Sequence, residues 1–218
     1  MIKKIISVLL VVVMASLLVS CNDDKGNQDN NDFTQKYTFS GEISTIYYEN
    51  LANVEIKYDG EVLGKTDSDG KFNVLIDITD RESSLEFMRL KFALEGYVFA
   101  VVKVDSYDYS THFIVKANSD KAPASWADEF YSVGGKVVYH YDGETRVPGA
   151  KVYVDGHLVK VIAEDGNFDL AYVVKNSVIT VEYEGYKFVD ITGNLMTATI
   201  TEDTFGLTFR AVAVSNEE

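Results

Sequence analysis

Few side chains in this chain could act as catalytic bases or zinc ligands, because it contains one cysteine and three histidines. His112, His140 and His157 fall on separate predicted strands or turns, without the paired spacing of a zinc-binding helix. The sequence also lacks a Gly-Xaa-Ser-Xaa-Gly elbow and a phosphate-binding glycine loop. We therefore expect neither an enzyme nor a cofactor, and interpret each histidine as structural or exposed.

The acidic segment Asp67-Ser68-Asp69-Gly70 could bind calcium, since carboxylates that alternate along a turn can point at one cation. The spacing does not fit an EF-hand, because Asp69 and Gly70 would take its fifth and sixth positions and place Lys65 at the first ligand position. The alternative is a hairpin turn in which Asp and Gly serve local hydrogen bonding. The sequence favours this turn and leaves calcium binding near Asp67 and Asp69 open.

Paired tyrosines offer another kind of site, because exposed aromatic rings can stack on sugars. Alternation places Tyr139 and Tyr141 on one face of a strand and His140 on the opposite face. In a sandwich such a face is more often core than surface, so the pattern favours packing over glycan binding. The pairs are Tyr47 with Tyr48, Tyr107 with Tyr109, and Tyr139 with Tyr141.

The first 20 residues have the three zones of an export signal. Lys3 and Lys4 supply a positive end, an uncharged run follows over residues 5–19, and small Ser20 precedes Cys21. A transmembrane helix is the alternative, but a spanning helix needs about 20 apolar residues and this run is shorter. The pattern therefore predicts a signal peptide over residues 1–20.

The segment Leu18-Val19-Ser20-Cys21 resembles the lipobox of bacterial lipoproteins, in which the cysteine sulfur receives diacylglycerol before cleavage. The resemblance implies that Cys21 becomes the first residue of the mature chain and carries fatty acyl chains such as palmitate. Several acyl chains hold a protein durably on a membrane, whereas one binds only marginally. Because Cys21 is the only cysteine, no disulfide can form within one chain and the fold must depend on its core.

A flexible tether is expected over residues 21–35, because residues 22–32 lack apolar side chains and cannot bury enough surface to fold. Acidic residues just after a lipidated cysteine also resemble the surface-export signal of lipoproteins in some Gram-negative bacteria. This resemblance implies a lipid-anchored protein of the outer membrane that is exposed at the cell surface. The periplasmic face of that membrane is the alternative location.

Acidic residues dominate the charge of the chain, which is −14 and becomes −16 once the signal and its two lysines are removed. Such a chain repels nucleic acid and anionic lipid. The partners that remain are the outer membrane, reached through the lipid on Cys21, and a glycan or protein ligand.

The chain contains an internal repeat, since residues 51–72 align without a gap on residues 147–168. Landmarks before and after this window keep the same order, so we predict two copies of one domain. The matching landmarks are Gly41 with Gly135, Asp59-Gly60 with Asp155-Gly156, Asp69-Gly70 with Asp165-Gly166, Phe72 with Phe168, and Glu95-Gly96-Tyr97 with Glu184-Gly185-Tyr186.

Asp-Gly pairs between alternating strands predict hairpins, because they offer the positive φ of a tight type I′ turn. Further runs of β-branched and aromatic residues bring the number of strands to about seven per copy, which is usual for a small β-sandwich. We therefore predict an all-β chain with two tandem seven-stranded sandwiches over residues 36–118 and 132–214. A linker over 119–131 joins them, and Trp126 packs at the junction with Phe130 and Tyr131. Further strands are expected at 86–94, 98–104 and 112–117, and at 179–183, 187–191 and 207–212.

Three segments of the second copy carry a family resemblance: Val147-Pro148-Gly149-Ala150-Lys151-Val152, Asp165-Gly166-Asn167-Phe168 and Gly185-Tyr186-Lys187. Over residues 133–212 the sequence resembles the carboxypeptidase regulatory-like domain, a transthyretin-like or Ig-like β-sandwich. Residues 37–118 resemble it more loosely, since Leu51-Ala52-Asn53-Val54 replaces the Pro-Gly pair. The resemblance implies an accessory module of exported peptidases, glycan-uptake receptors or adhesins, and it brings no catalytic residues.

Sandwich domains of surface pilins suggest one further hypothesis, a Lys–Asn isopeptide bond between Lys136 and Asn194. No acid is predicted beside these two residues, so the sequence gives this hypothesis little support.

The leading functional hypothesis is a non-enzymatic cell-envelope lipoprotein that acts as a surface binding or adhesion module for a glycan, a host protein or an envelope partner. The alternatives are a structural spacer without a ligand, an accessory subunit of an outer-membrane uptake complex, and an enzyme accessory. Function has to be argued from sites, because one sandwich fold serves many functions.

Overall fold

The computed structural model describes residues 35–78 and 89–214. The predicted signal peptide, Cys21 and residues 21–34 of the predicted tether lie outside these ranges. Within them the chain forms fifteen strands, and the 3-10 helix Ala124–Ala127 lies between the seventh and eighth. No helix in this part of the chain has the length and apolar character needed to cross a membrane.

The strands fall into two successive groups. The first group is β1 (Gln35–Thr45), β2 (Glu55–Tyr58), β3 (Glu61–Lys65), β4 (Lys71–Ile78), β5 (Leu90–Ala93), β6 (Tyr97–Tyr107) and β7 (Ser110–Ser119). The second is β8 (Phe130–Tyr139), β9 (Lys151–Val154), β10 (His157–Val161), β11 (Asn167–Val174), β12 (Val178–Glu182), β13 (Tyr186–Val189), β14 (Ala198–Thr199) and β15 (Thr204–Ala213).

Both groups form a two-sheet sandwich with the same strand order. The first has sheets β4-β1-β7-β6 and β3-β2-β5, and the second has sheets β11-β8-β15-β13 and β10-β9-β12-β14. In each, the opening strand pairs antiparallel with the fourth strand and parallel with the last. The prediction of two tandem all-β sandwiches is confirmed, and the second copy adds the two-residue strand β14 to the predicted seven.

The repeated sequence landmarks have the same structural roles in both copies. Asp59 and Gly60 have φ values of 51° and 88°, and Asp155 and Gly156 have values of 51° and 82°, as a type I′ turn requires. Gly41 lies beneath the Phe72 ring, as Gly135 lies beneath Phe168. A Cβ on Gly41 would lie 2.4 Å from the Phe113 carbonyl oxygen, and one on Gly135 would lie 2.6 Å from the Phe168 ring.

Each sandwich has its own hydrophobic core between its two sheets. The first core is centred on Phe39, Ile43, Val54, Ile56 and Phe113, and the second on Val137, Phe168, Ile179, Ile200 and Phe209. Alternate residues of the strands supply these side chains, as expected for strands with one buried face.

Several strand ends differ from the sequence-based expectation. Of the strand predicted at 86–94, the structure describes β5 at Leu90–Ala93, and residues 86–88 lie outside the described ranges. β6 continues to Tyr107 because it forms a long hairpin with β7. β13 ends at Val189, since Asp190 starts a turn in which its carboxylate accepts hydrogen bonds from the backbone N–H of Thr192 and Asn194.

The connection between the sandwiches runs from the end of β7 at Ser119 to the start of β8 at Phe130. Its 3-10 helix carries Trp126, which is buried and meets the Phe130 ring edge to face at 6.0 Å. Tyr131, also expected near this junction, packs against the second core.

Candidate functional site

Four tyrosines form a cluster at one end of the second sandwich, hereafter the tyrosine cluster: Tyr139, Tyr141, Tyr183 and Tyr186. The Tyr139 and Tyr141 rings stack with centroids 5.7 Å apart and planes at 27°. The Tyr186 ring meets Tyr139 edge to face at 5.6 Å and lies 5.5 Å from Tyr183. Tyr139, Tyr183 and Tyr186 are half-buried against the core, whereas Tyr141 is 77% exposed.

The loop after β8 holds Tyr141 in place through local hydrogen bonds. The Asp142 carboxylate accepts hydrogen bonds from the Glu144 and Thr145 N–H groups and from the Thr145 hydroxyl. Tyr139 N–H donates to the Thr145 carbonyl at 2.8 Å, and Gly143 N–H donates to the Tyr139 carbonyl at 3.0 Å. The exposed ring is therefore carried by a loop closed on itself, which reduces the ordering entropy lost when a ligand binds.

An open depression of about 810 Å³ adjoins the cluster between β12 and β13. Tyr183 and Tyr186 line it together with apolar side chains of the loop after β13, including Leu195 and Met196. A few polar groups among apolar and aromatic walls are typical of sites for small polar ligands. The charged lining side chains are two lysines and two glutamates: Lys151, Lys187, Glu182 and Glu184.

The hydroxyl groups of the cluster influence one another. Burial raises the pKa of Tyr139, and the neighbouring Tyr186 and Tyr183 raise it further. The Tyr139 hydroxyl therefore stays protonated through neutral and mildly alkaline pH and can donate a hydrogen bond. The cluster thus combines an exposed ring face with hydroxyl donors and acceptors.

The tyrosine pair of the first sandwich is used differently, since it fills the junction with the second sandwich. Tyr47 stacks on His157 with centroids 3.7 Å apart and planes at 9°. The Tyr48 hydroxyl donates to the Ala171 carbonyl at 2.6 Å. Both tyrosines pack against the core of the second sandwich, so they connect the two copies.

Lys116 is a buried cation beside this junction, with only 3% of its surface exposed. Its Nζ donates to Ser44 Oγ at 3.0 Å and lies 4.1 Å from the centre of the Tyr48 ring. Burial lowers the pKa of Lys116 to about 8, although Glu42 acts in the opposite direction. Burial also raises the pKa of Tyr48.

The structure does not bring the three histidines together. His112 lies on β7 with Nδ1 3.2 Å from Ser40 Oγ, His140 is exposed after β8, and His157 stacks on Tyr47. In the described ranges, no group of three histidine, cysteine or acidic side chains is placed to hold a metal ion.

Asp67 forms the hairpin turn that its sequence favours. Its Oδ1 accepts hydrogen bonds from the N–H groups of Asp69 at 2.9 Å and Lys71 at 2.8 Å. One oxygen of this carboxylate is therefore already used by the backbone, as in an Asx turn.

The remaining predicted site residues lie apart from the tyrosine cluster. Tyr107 and Tyr109 are exposed at the tip of the β6–β7 hairpin in the first sandwich. Asn194 is exposed and donates from its amide to Thr192 Oγ1 within its own turn. Lys136 lies on β8, in register with Asn167 and Thr208.

Sequence reasoning found half of the tyrosine cluster and misjudged one member. Alternation placed Tyr141 with Tyr139 on a core-type face, but β8 ends at Tyr139, so the alternation stops before Tyr141. Tyr183 and Tyr186 were missed as site residues, although they flank the repeated Glu184-Gly185 turn. The signal in the sequence was a tyrosine on each side of this turn. In the structure the turn is closed by the Tyr183↔Tyr186 bridge, with Gly185 at φ 78°.

No family model and no curated protein matches this chain. Among solved structures, it is similar to the streptococcal ancillary pilin at 16% identity and a TM-score of 0.28, over 83% of this chain and 63% of that one. It is also similar to two B repeat units of the collagen-binding protein of Staphylococcus aureus at 13% identity and a TM-score of 0.22, over 80% and 51%. The shaft pilin SpaA from Lactobacillus rhamnosus GG gives 11% identity and a TM-score of 0.29, over 83% and 99%. The chain thus spans less than two thirds of the first two of these proteins, and such low scores assign neither ligand nor activity.

Proposed function

We propose that this protein is a non-enzymatic, lipid-anchored surface module that binds neutral glycan chains through the tyrosine cluster. The observation that carries the proposal is the Tyr141 ring, which is 77% exposed, stacks on Tyr139 and is held by a hydrogen-bonded loop. Exposing a large aromatic ring to water is unfavourable in free energy. A ring that is held in place on the surface is therefore typical of a binding site.

The surroundings of the cluster suit an uncharged polar polymer. Two lysines and two glutamates around the depression balance in charge, and with the tyrosine hydroxyls they can donate and accept hydrogen bonds from sugar hydroxyls. Apolar walls from Leu195 and Met196 can pack against the C–H face of a sugar ring. The strongly acidic chain also favours neutral over anionic ligands at this site.

Anchoring through Cys21 is the second part of the proposal, and the carboxypeptidase regulatory-like resemblance of residues 133–212 fits an accessory module of that kind. The lipobox-like Leu18-Val19-Ser20-Cys21 segment supports it. In Gram-negative cells, the Cys21→Ser variant should leave the membrane fraction, and the intact mass of the unaltered chain should exceed the polypeptide mass by its acyl groups. An unmodified mass in the membrane fraction would contradict lipid anchoring.

Binding to a panel of neutral polysaccharides tests the tyrosine cluster. The full-length chain in detergent is titrated with dextran, xylan, mannan and a mixed-linkage glucan. We expect at least one to bind, and Tyr141→Ala to weaken that binding about tenfold, as loss of an exposed aromatic anchor does. Tyr109→Ala is the matched control, because Tyr109 is also 59% exposed but lies on the first sandwich. No binding to any polymer, or equal loss in both variants, would contradict the proposal.

A structural spacer is the second candidate function, and the Tyr47 and Tyr48 contacts favour it. These residues of the first sandwich pack against the core of the second, as expected of a protein that must hold a fixed geometry. Normal envelope assembly with Tyr141→Ala, together with the absence of glycan binding, would support the spacer.

A further inference from the structure

One outer sheet face of the second sandwich carries a set of basic side chains, hereafter the basic face: Lys136, Arg146, Lys187 and Arg210. The neighbouring residues Val137 and Phe209 point into the core, so alternation turns Lys136 and Arg210 to the outside. Val138 of β8 pairs with Arg210 of β15 on one side and with Arg146 on the other. Arg210 also pairs with Val189 of β13. The two arginines are thus two strand spacings apart, roughly 10 Å at the backbone.

The two arginines hold hydrogen-bond donors that are shielded but unused. Within the described part of the chain, Arg146 Nη1 and Arg210 Nε are buried and have no hydrogen-bond partner. A buried donor without a partner costs free energy, more so when the group is charged. Neither guanidinium group forms an ion pair in this part of the chain, unlike Lys175 of the same sandwich, so both are left to pair with an anion.

Two glycines fix the positions of these arginines. A Cβ on Gly143 would lie 2.3 Å from Arg210 Nη1, and a Cβ on Gly166 would lie 2.4 Å from Arg146 Cδ. Each arginine therefore packs closely over the backbone of a glycine. Gly143 and Gly166 also have positive φ, at 70° and 69°, which favours glycine in the turns that contain them.

Acidic side chains border the basic face, but in the described part of the chain none forms an ion pair with Arg146 or Arg210. Asp169 of β11 lies at the edge of this face, opposite Gly134. Asp142 and Glu144 belong to the loop that contains Gly143, and the Asp142 carboxylate is already hydrogen-bonded to Thr145. Glu164 and Asp165 directly precede Gly166. Arg146 and Arg210 are therefore unpaired cations among the described residues, and an anionic ligand can pair with them.

We propose that the basic face binds an acidic polysaccharide, with sugar carboxylates held by Arg146 and Arg210. Guanidinium groups bind carboxylates through paired hydrogen bonds, and Lys136 and Lys187 add charge along the same face. Arg146 and Arg210 do not line the depression beside the tyrosine cluster, although Lys187 does, and this proposal does not depend on the function proposed above.

The chemistry of the face favours a polysaccharide over an acidic peptide. β8 and β15 are interior strands that are paired on both sides, so they offer no free backbone edge to which a peptide strand could add. Phe205 is 71% exposed on this face, where a Cβ on Gly134 would lie 3.1 Å from its ring. That ring can pack against a sugar beside the arginines.

Titration of the full-length chain in detergent with polygalacturonate tests the site, with dextran and polyglutamate as comparison polymers. We expect polygalacturonate to bind more tightly than polyglutamate, and salt to weaken it. Arg146→Met and Arg210→Met retain the apolar stem but lose the charge, and each should weaken binding about tenfold. Lys160→Met removes one charge from β10 of the other sheet and should change binding less than twofold. If a methionine variant fails to fold, Arg210→Lys retains the charge, removes the paired geometry, and should weaken binding severalfold.

Three results would overturn the proposal. Equal weakening by Lys160→Met would show that overall charge, rather than the basic face, attracts the polymer. Equal or tighter binding of polyglutamate would identify an acidic protein segment as the occupant. Unchanged binding in both arginine variants would remove the site altogether, whatever the outcome for Tyr141→Ala.

Discussion

The two sandwiches carry tyrosines in the same loop, and they use them for opposite purposes. In the first copy, the loop after β1 places Tyr47 and Tyr48 against the second sandwich. In the second copy, the loop after β8 leaves Tyr141 77% exposed. One repeated element therefore serves once as an internal junction and once as an open surface, and the open copy is the one available to a ligand.

The largest effects on the free energy of unfolding are expected at a glycine position that both copies share. Gly41→Ala and Gly135→Ala should each lower the free energy of unfolding by about 3 kcal/mol, because the added methyl group meets backbone and a buried ring. Chemical denaturation followed by circular dichroism measures the loss. Gly60→Ala is the control: nothing lies within 4 Å of its Cβ position, so only its φ of 88° opposes alanine, at a cost of about 1 kcal/mol. Equal losses at all three positions would show that the packing around Gly41 and Gly135 is not what requires glycine.

The contrast between the two loops predicts different stability effects for their tyrosines. Tyr47→Ala should lower the free energy of unfolding by about 2 kcal/mol, because it removes a stacked, half-buried ring. Tyr141→Ala should stay within about 0.5 kcal/mol of the unaltered chain, as most exposed positions do. Fluorescence of Trp126, the only tryptophan, reports on the connection between the copies during denaturation. A larger loss for Tyr141→Ala than for Tyr47→Ala would reverse the assignment of the two loops.

Lys116 makes the junction of the first copy sensitive to pH. Below pH 8 Lys116 is charged in both states. Between pH 8 and 10 the folded chain loses a proton that the unfolded chain retains, because the usual pKa of lysine is 10.5. The free energy of unfolding should therefore rise over this interval, by on the order of 2 kcal/mol. Above pH 10 the trend should reverse, since the pKa of Tyr48 is raised and unfolding then releases its proton.

Urea denaturation at several pH values measures this effect. Lys116→Met should abolish the rise between pH 8 and 10, and Lys71→Met, at an exposed position of the same sandwich, should retain it. A rise that persists in Lys116→Met would assign the proton to another group.

A smaller effect is expected at the turn before β4, where one aspartate of the first copy has no counterpart in the second. Asp67 binds two backbone N–H groups, while the aligned residue of the second copy is Ala163. Asp67→Ala should cost about 1 kcal/mol, and Ala163→Asp should recover part of that amount in the second turn. Thermal melts of the unaltered chain with calcium and with chelator should superimpose. A calcium-dependent rise in Tm that Asp67→Ala removes would establish the cation site that the turn otherwise replaces.

The repeat made the fold readable from the sequence. Asp59-Gly60 and Asp155-Gly156 specify their turns locally, and strand alternation then assigns core and surface without knowledge of distant contacts. The repeat also implies that both copies share one strand order, but it does not specify that order. β14 was not predicted because a two-residue strand carries no periodic signal.

The candidate site could be predicted only in part from the sequence, because its geometry depends on where strands end and which strands come together. Tyr141 is exposed since β8 stops two residues earlier, a boundary that alternation cannot define. Tyr183 and Tyr186 join it from the turn between β12 and β13, and Arg146 and Arg210 flank Val138 only through sheet register. These contacts between distant residues follow from the packing of the folded chain, which no local pattern records.

The most direct test of the division between the two loops is an NMR titration of the full-length chain in detergent, with ring-labelled tyrosine and the neutral polysaccharide that binds best. We expect the resonances of Tyr141, Tyr139 and Tyr186 to shift as polymer is added, and those of Tyr47 and Tyr48 to stay in place. Shifts at Tyr47 and Tyr48 without a change at Tyr141 would contradict the account, because the junction would then be the ligand site.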